Sequence, residues 1–199
     1  MARIGIFGGT FDPVHNGHLR VACEAKKRLS LDTVILVPAG DPPHKSKKKV
    51  TDKEHRLRMT ELVFAGKEGF LVSDYEIQKE GPAYSVDLIR YFKECYPEDE
   101  LFFVIGADSF RDLPTWWHYR ELLEMVHFVV LSRPDTEKAE LLSLFSGDEV
   151  PPRVFYFSDM AVDISSTQIR ALAYRGEDIG ALVPDVILEY INEHQLYKD

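Results

Sequence analysis

The strongest constraint on the fold is a rhythm: short runs of β-branched and aromatic residues recur along the chain, separated by longer segments with helical spacing. Val34-Ile35-Leu36-Val37 and Phe128-Val129-Val130-Leu131 are apolar at every position. Such runs suit strands covered by helices on both faces. The spacing and caps predict strands at about residues 3–7, 33–38, 70–73, 101–106, 127–132 and 154–157. They predict helices over about 16–30, 52–66, 85–95, 119–125, 165–174 and 184–193. This alternation reads as a doubly wound α/β fold around a mostly parallel sheet, where ligands bind beyond the carboxyl ends of the strands. At 199 residues, 45% of them hydrophobic, the expectation is one domain spanning 1–199. Gly40–Val50, with Pro42-Pro43 and a lysine run, and Ser143–Arg153 read as mobile loops.

A net charge of -9 disfavours binding to nucleic acid or to an anionic membrane through long-range electrostatics. An anionic substrate therefore needs a locally basic pocket. No run approaches the ~18 apolar residues of a membrane span, and the N-terminus does not read as a secretion signal. Cys23 and Cys95 have no spacing motif and cannot make a disulfide framework, so a reducing cytoplasmic location is expected.

The most informative segment is Gly8-Gly9-Thr10-Phe11-Asp12-Pro13-Val14-His15-Asn16-Gly17-His18, set between the first strand and the first helix. Gly8 and Gly9 predict a tight turn that brings backbone amides close to a ligand. Gly17 leaves the helix mouth without a side chain, and the first-turn N–H groups are expected to face an anion. His15 and His18 are three apart and both belong at that mouth, as hydrogen-bond donors to phosphate. A helix-capping turn with incidental histidines, or a metal-binding pair, would produce the same two residues. Neither G-x-x-x-x-G-K-[ST] nor G-x-G-x-x-G occurs, which disfavours a P-loop ATPase and a dinucleotide-dependent dehydrogenase.

A second phosphate element is Asp163-Ile164-Ser165-Ser166-Thr167-Gln168-Ile169-Arg170. Hydroxyls cap a helix whose first amides are free, and Arg170 lies one turn on beside Ser166 and Thr167. An ordinary serine-capped helix has the same local appearance. Taken together, the two strings resemble the nucleotidyltransferase superfamily with H-x-G-H and I-S-S-T motifs. More narrowly, the chain resembles the bacterial nicotinate-nucleotide adenylyltransferases over its whole length. Pro38-Ala39-Gly40-Asp41-Pro42-Pro43-His44-Lys45, Ile105-Gly106-Ala107-Asp108-Ser109, Leu113-Pro114-Thr115-Trp116 and the closing stretch through Leu196-Tyr197 support this.

The resemblance implies a Rossmann-like nucleotidyltransferase fold and transfer of AMP from ATP to nicotinate mononucleotide, with magnesium accompanying ATP and without a fixed protein metal site. By motif, His15, His18 and Arg170 would be catalytic, with Gly8, Gly9, Thr10, Phe11, Gly17, Asp108, Ser166 and Thr167 binding ATP. Asp108 would take a ribose hydroxyl, although a helix N-cap would look identical. Lys45, Ser85 and Trp116 would bind the acceptor, Trp116 by stacking on the pyridine ring. Ser85 stands where the family commonly has threonine, which keeps the hydroxyl. From the residues alone, Trp116 and Trp117 could equally be a lid over the core. Arg133, at the end of the fifth strand, is a further candidate for nucleotide contact. The charges of Glu54-His55-Arg56-Leu57-Arg58 read as a solvated helix face. Nicotinamide mononucleotide or phosphopantetheine as acceptor, and a non-catalytic nucleotide sensor, are the alternatives, and a homo-oligomer is left open.

Overall fold

The computed structural model describes residues 1–40, 50–81, 83–131, 138–147, 151–159 and 163–198. Strands β1 (Arg3–Gly9), β2 (Thr33–Pro38), β3 (Phe70–Val72), β4 (Glu100–Gly106), β5 (His127–Leu131) and β6 (Arg153–Phe157) form one sheet in the order β3-β2-β1-β4-β5-β6. Every neighbouring pair is parallel. The helices are α1 (Asn16–Arg28), α2 (Lys53–Phe64), α3 (Tyr75–Gln78), α4 (Ser85–Cys95), α5 (Ala107–Asp112), α6 (Tyr119–Met125), α7 (Lys138–Ser143), α8 (Ser166–Tyr174) and α9 (Asp185–Glu193), with a 3-10 turn over Leu113–Thr115.

Alternation along the strands divides the core in two. Ile4, Ile6, Ile35, Phe103 and Phe128 meet Ile89, Phe92, Phe110 and Leu122 of α4, α5 and α6. Phe7, Val34, Leu36, Phe102 and Val129 meet Val21, Met59, Val63, Ile169 and Ile187 of α1, α2, α8 and α9. Burial on both faces explains why these strands are apolar without a polar alternate.

The chain winds outward in both directions from the centre, so the strand order reverses between β1 and β4. In such a sheet the crevice lies between the loops that leave those two strands. The six predicted strands and the six longer helices are present. The short α3, α5, α7 and the 3-10 turn are additional, because three to six residues are too few to show a helical period. Phe145 is buried and packs 5.1 Å from Phe110. The stretch beginning at Ser143 is therefore anchored where it is described, contrary to its reading as a mobile loop. Residues 41–49, within the other expected loop, lie outside the described residues. No helix among those described is long and apolar enough to cross a membrane.

Candidate active site

The turn after β1 is built differently from its expected glycine turn. Gly8 and Gly9 are the last residues of the strand, paired with Val37 and Pro38. The chain reverses at Phe11, whose φ is 48°, and across a cis Asp12–Pro13 peptide. Gly9 is needed for another reason: a Cβ there would stand 3.0 Å from the Phe11 ring. That ring is buried edge-on between Phe7 at 5.5 Å and His18 at 4.9 Å. The Phe11 side chain is thus a buried prop under the His18 ring, and the expectation that it meets a ligand is left to its backbone alone.

His15 is the N-cap of α1, and His18 occupies the third helical position. The His15 Nδ1 accepts the His18 N–H at 3.3 Å, and the His18 Nδ1 accepts the His15 N–H at 3.2 Å. This is a capping box in which imidazoles replace the usual hydroxyl and carboxylate. Since both Nδ1 atoms accept, the ring proton of each sits on Nε2, where it can be donated to an anion. The rings stack with centroids 3.7 Å apart. Burial pulls the His15 imidazole down to about 4, while burial and then the neighbouring His15 charge hold His18 well below its ordinary value. Both are neutral donors at physiological pH. The capping bonds, with Leu182 O accepting the Asn16 N–H at 3.0 Å, consume the amides of residues 15, 16 and 18. The expectation that the first-turn amides are open to an anion is corrected on this point.

Helix α8 packs directly on this turn. Ser165 caps it by accepting the Gln168 N–H at 3.2 Å, and Ser166 Oγ donates to Pro13 O at 3.0 Å. Arg170 Nη1 donates to Asp12 O at 2.6 Å and lies 3.7 Å from the Asp12 carboxylate. Arg170 Nη2 is 3.4 Å from Thr167 Oγ1. Two sequence motifs about 150 residues apart are therefore one bonded unit.

Asp12 is its hub. Only 2% exposed, its carboxylate also accepts the Tyr197 hydroxyl at 2.9 Å and the Thr51 N–H at 3.3 Å. The C-terminal segment and the approach to α2 are thereby tied to the same turn. Burial, then the Asp12 charge, raises the Tyr197 phenol well above its usual range, so the hydroxyl stays a donor.

Across the crevice, Asp108 stands in the first turn of α5, its carboxylate 98% exposed and 3.0 Å from Arg111. Gly106 is the N-cap of that helix, so the capping explanation of Asp108 does not hold. Trp116 is half-buried, edge-on to Phe103 at 6.5 Å. Trp117 is 62% exposed and faces Tyr84 at 6.1 Å, which places the 116–117 turn beside Ser85 at the start of α4. Lys45 and Arg133 lie outside the described residues.

Arg56 corrects the solvated reading of α2. It is 2% exposed and donates from Nε to Thr51 O at 2.9 Å, from Nη1 to Thr10 O at 3.0 Å and Ala39 O at 2.5 Å, and from Nη2 to Gly40 O at 2.9 Å. Its position was legible: Arg56, Met59, Thr60 and Val63 form one buried helical stripe. Glu76, beside Gly40, is also buried, and that burial pushes its carboxyl up to about 7.

The cytidylyltransferase-like family model matches residues 6–172. A "Probable nicotinate-nucleotide adenylyltransferase" of Geobacter sp. (strain M21) is 41% identical over 213 residues, covering 99% of each chain. Its namesake in Clostridium tetani (strain Massachusetts / E88) is 38% identical over 205 residues, covering all of both. The chain belongs to the nicotinate-nucleotide adenylyltransferase family. Among solved structures, Plasmodium falciparum nicotinic acid mononucleotide adenylyltransferase complexed with NaAD superposes at a TM-score of 0.79, with 19% identity over 99% of this chain and 98% of that one. The same protein complexed with APC gives 0.78 at 20% identity, with the same coverage. These two likenesses establish the nucleotidyltransferase fold expected from the sequence.

In this adenylyltransferase fold, the structure brings His15, His18, Ser166, Thr167 and Arg170 together at the turn after β1. Asp108 belongs to the neighbouring β4 edge, and Ser85 and Trp116 to a separate wall near it. Sequence reasoning missed Asp12, Arg56, Glu76 and Tyr197 as supports. Asp12 and Tyr197 lay inside strings already singled out, but nothing local marks a long-range partner.

Proposed function

We propose that this chain transfers AMP from ATP to nicotinate mononucleotide, releasing pyrophosphate and forming deamido-NAD in NAD biosynthesis. The observation that carries this reading is the joining of the two motifs: Ser166 to Pro13 and Arg170 to Asp12. That junction gathers two Nε2–H donors, a guanidinium and the first turn of α8 around one crevice, a donor set suited to a polyphosphate.

In this reading an anionic oxygen of the acceptor phosphate attacks the α-phosphorus of ATP in line, the P–O bond to the β-phosphate breaks, and pyrophosphate leaves. The attacking oxygen is already deprotonated, so no general base is required. His15 and His18 donate to phosphate oxygens, Arg170 offsets charge from the α8 side, and Ser166 and Thr167 complete the cradle. Catalysis comes from aligning two anions and lowering their repulsion. Asp108 accepts a ribose hydroxyl, Ser85 bonds the acceptor, and Trp116 stacks on its ring. Among the described residues no three His, Cys, Asp or Glu side chains converge as a metal site. Magnesium belongs to the ATP complex in this proposal, where it would neutralise phosphate charge.

The test is pyrophosphate release from ATP and magnesium with nicotinate mononucleotide, nicotinamide mononucleotide or phosphopantetheine. Preference for the first, with a loss of about 10²–10³-fold in His18→Ala, supports both substrate and site. Preference for another acceptor keeps the chemistry and overturns the substrate. ATP binding without release under all three conditions favours a nucleotide sensor.

A further inference from the structure

The carboxyl ends of β1 and β2 carry carbonyls beyond the reach of the sheet ladder. The two strands are neighbours, and the ladder continues one bond past the sheet, from Ala39 N to Gly9 O at 2.8 Å. Beyond that, Thr10 turns toward the histidine motif and Gly40 turns away, and the carbonyls of Thr10, Ala39 and Gly40 all point at α2. Buried carbonyls require donors. Arg56 answers all three, and the carbonyl of Thr51 besides, with one planar guanidinium.

Glycine at position 40 belongs to the same arrangement. Any Cβ there would collide with the backbone carbonyl of Glu76, so α3 closes directly on Gly40. The Gly40 backbone also draws the Glu76 carboxyl down against its burial. Residue 40 is thus held by its carbonyl and by the absence of a side chain.

We propose that Arg56 is a positioning residue of the nucleotide site: by bridging Thr10 to Ala39 and Gly40, it sets the orientation of the turn that carries His15 and His18. This rests on the function proposed above, since it assigns what the turn must be oriented for. Arg56 itself is only 2% exposed and acts through the loop carbonyls it holds. Its buried fork reaches the turn one residue after β1, where the Thr10 carbonyl precedes the left-handed Phe11. A rotation of that peptide would carry Phe11, which underlies the His18 ring, along with it. A guanidinium suits this role because it remains charged at all relevant pH and presents donors in several fixed directions. A lysine ammonium at the same place has one nitrogen and cannot span carbonyls on both loops.

The test compares wild type with Arg56→Lys in two measurements, both on the full chain. The first is steady-state pyrophosphate release with ATP and nicotinate mononucleotide. The second is the imidazole nitrogen spectrum of the resting protein, which reads the His15 and His18 tautomers without substrate. The expectation for Arg56→Lys, at a temperature where its circular dichroism shows it folded, is a fall in kcat of about 10- to 100-fold, the scale of misplacing reacting groups by about an ångström. The KM for nicotinate mononucleotide should change far less, and the imidazole signals should shift or broaden. A folded Arg56→Lys with kcat within about twofold of wild type and unmoved imidazole signals would leave Arg56 a stabilising residue only and overturn the proposal. If Arg56→Lys does not fold, Arg56→Gln, which keeps a planar donor group, takes its place, and failure of both to fold also overturns it. Should the wild type be inactive on this substrate pair, the function proposal fails, while the imidazole spectra still decide the positioning.

Discussion

Replacing His15 with asparagine isolates the cost of burying an imidazole at the mouth of α1. The ring is 5% exposed, and burial holds it near 4 against an ordinary 6.5. Between these values the unfolded chain binds a proton that the folded chain refuses. Stability therefore rises with pH across the window: nothing is lost above about pH 6.5, and the penalty is complete below about pH 4. The drop from 6.5 to about 4 corresponds to about 3 kcal/mol, of which about 2 kcal/mol is already lost at pH 5. Asparagine retains a side-chain acceptor for the His18 N–H and is a good N-cap, so capping is preserved while the titration is removed. His18, the titratable ring stacked on His15, shifts in the same direction; the part of its slope that comes from burial stays in the variant, and the part that comes from the His15 charge is removed with His15. Urea unfolding of both proteins at about pH 7.5 and pH 5 should show the wild type losing about 2 kcal/mol more than His15→Asn. Parallel losses, within about 0.5 kcal/mol, would refute the argument that the native site excludes the proton.

Three further outcomes are expected. Tyr197→Phe removes the hydroxyl that donates to the buried Asp12 carboxylate and should cost about 1–3 kcal/mol in urea unfolding, although no helix or strand is altered. Gly40→Ala forces a methyl into the Glu76 carbonyl and should destabilise by about 1–3 kcal/mol while displacing a partner of Arg56, so pyrophosphate release should fall with it. Glu76, raised to about 7 by burial, keeps a proton that the unfolded chain releases near 4.5, even though Lys79 and Arg56 pull the other way. Its contribution is full below about pH 4.5 and lost as pH rises through about 7, amounting to about 3 kcal/mol. Denaturation of Glu76→Gln across that range should lack this decline.

Much of the architecture was legible because burial on both faces writes itself into the strands as unbroken apolar runs, and because six of the helices are long enough to repeat a period. Helix α2 shows where that legibility was misread. Arg56 was assigned to a wet face by its chemistry, while its spacing from Met59 and Val63 placed it in the buried stripe. The turn after β1 was misread for a related reason. Glycines suggest a bend, yet Gly8 and Gly9 finish the strand, and the bend falls at Phe11, whose ring occupies the space beside Gly9.

The sequence by itself determined the doubly wound α/β class, the chemistry of the donors at residues 15, 18, 166, 167 and 170, and their place at helix starts. These follow from local period, caps and side-chain type, which act over a few residues. Only the tertiary structure decided that Asp12, Arg170, Tyr197 and Thr51 share one carboxylate and that four loop carbonyls share one guanidinium. It also decided that burial keeps both histidines neutral. Each of these depends on which buried polar groups lack a nearer partner, and that is settled only when distant segments are packed together.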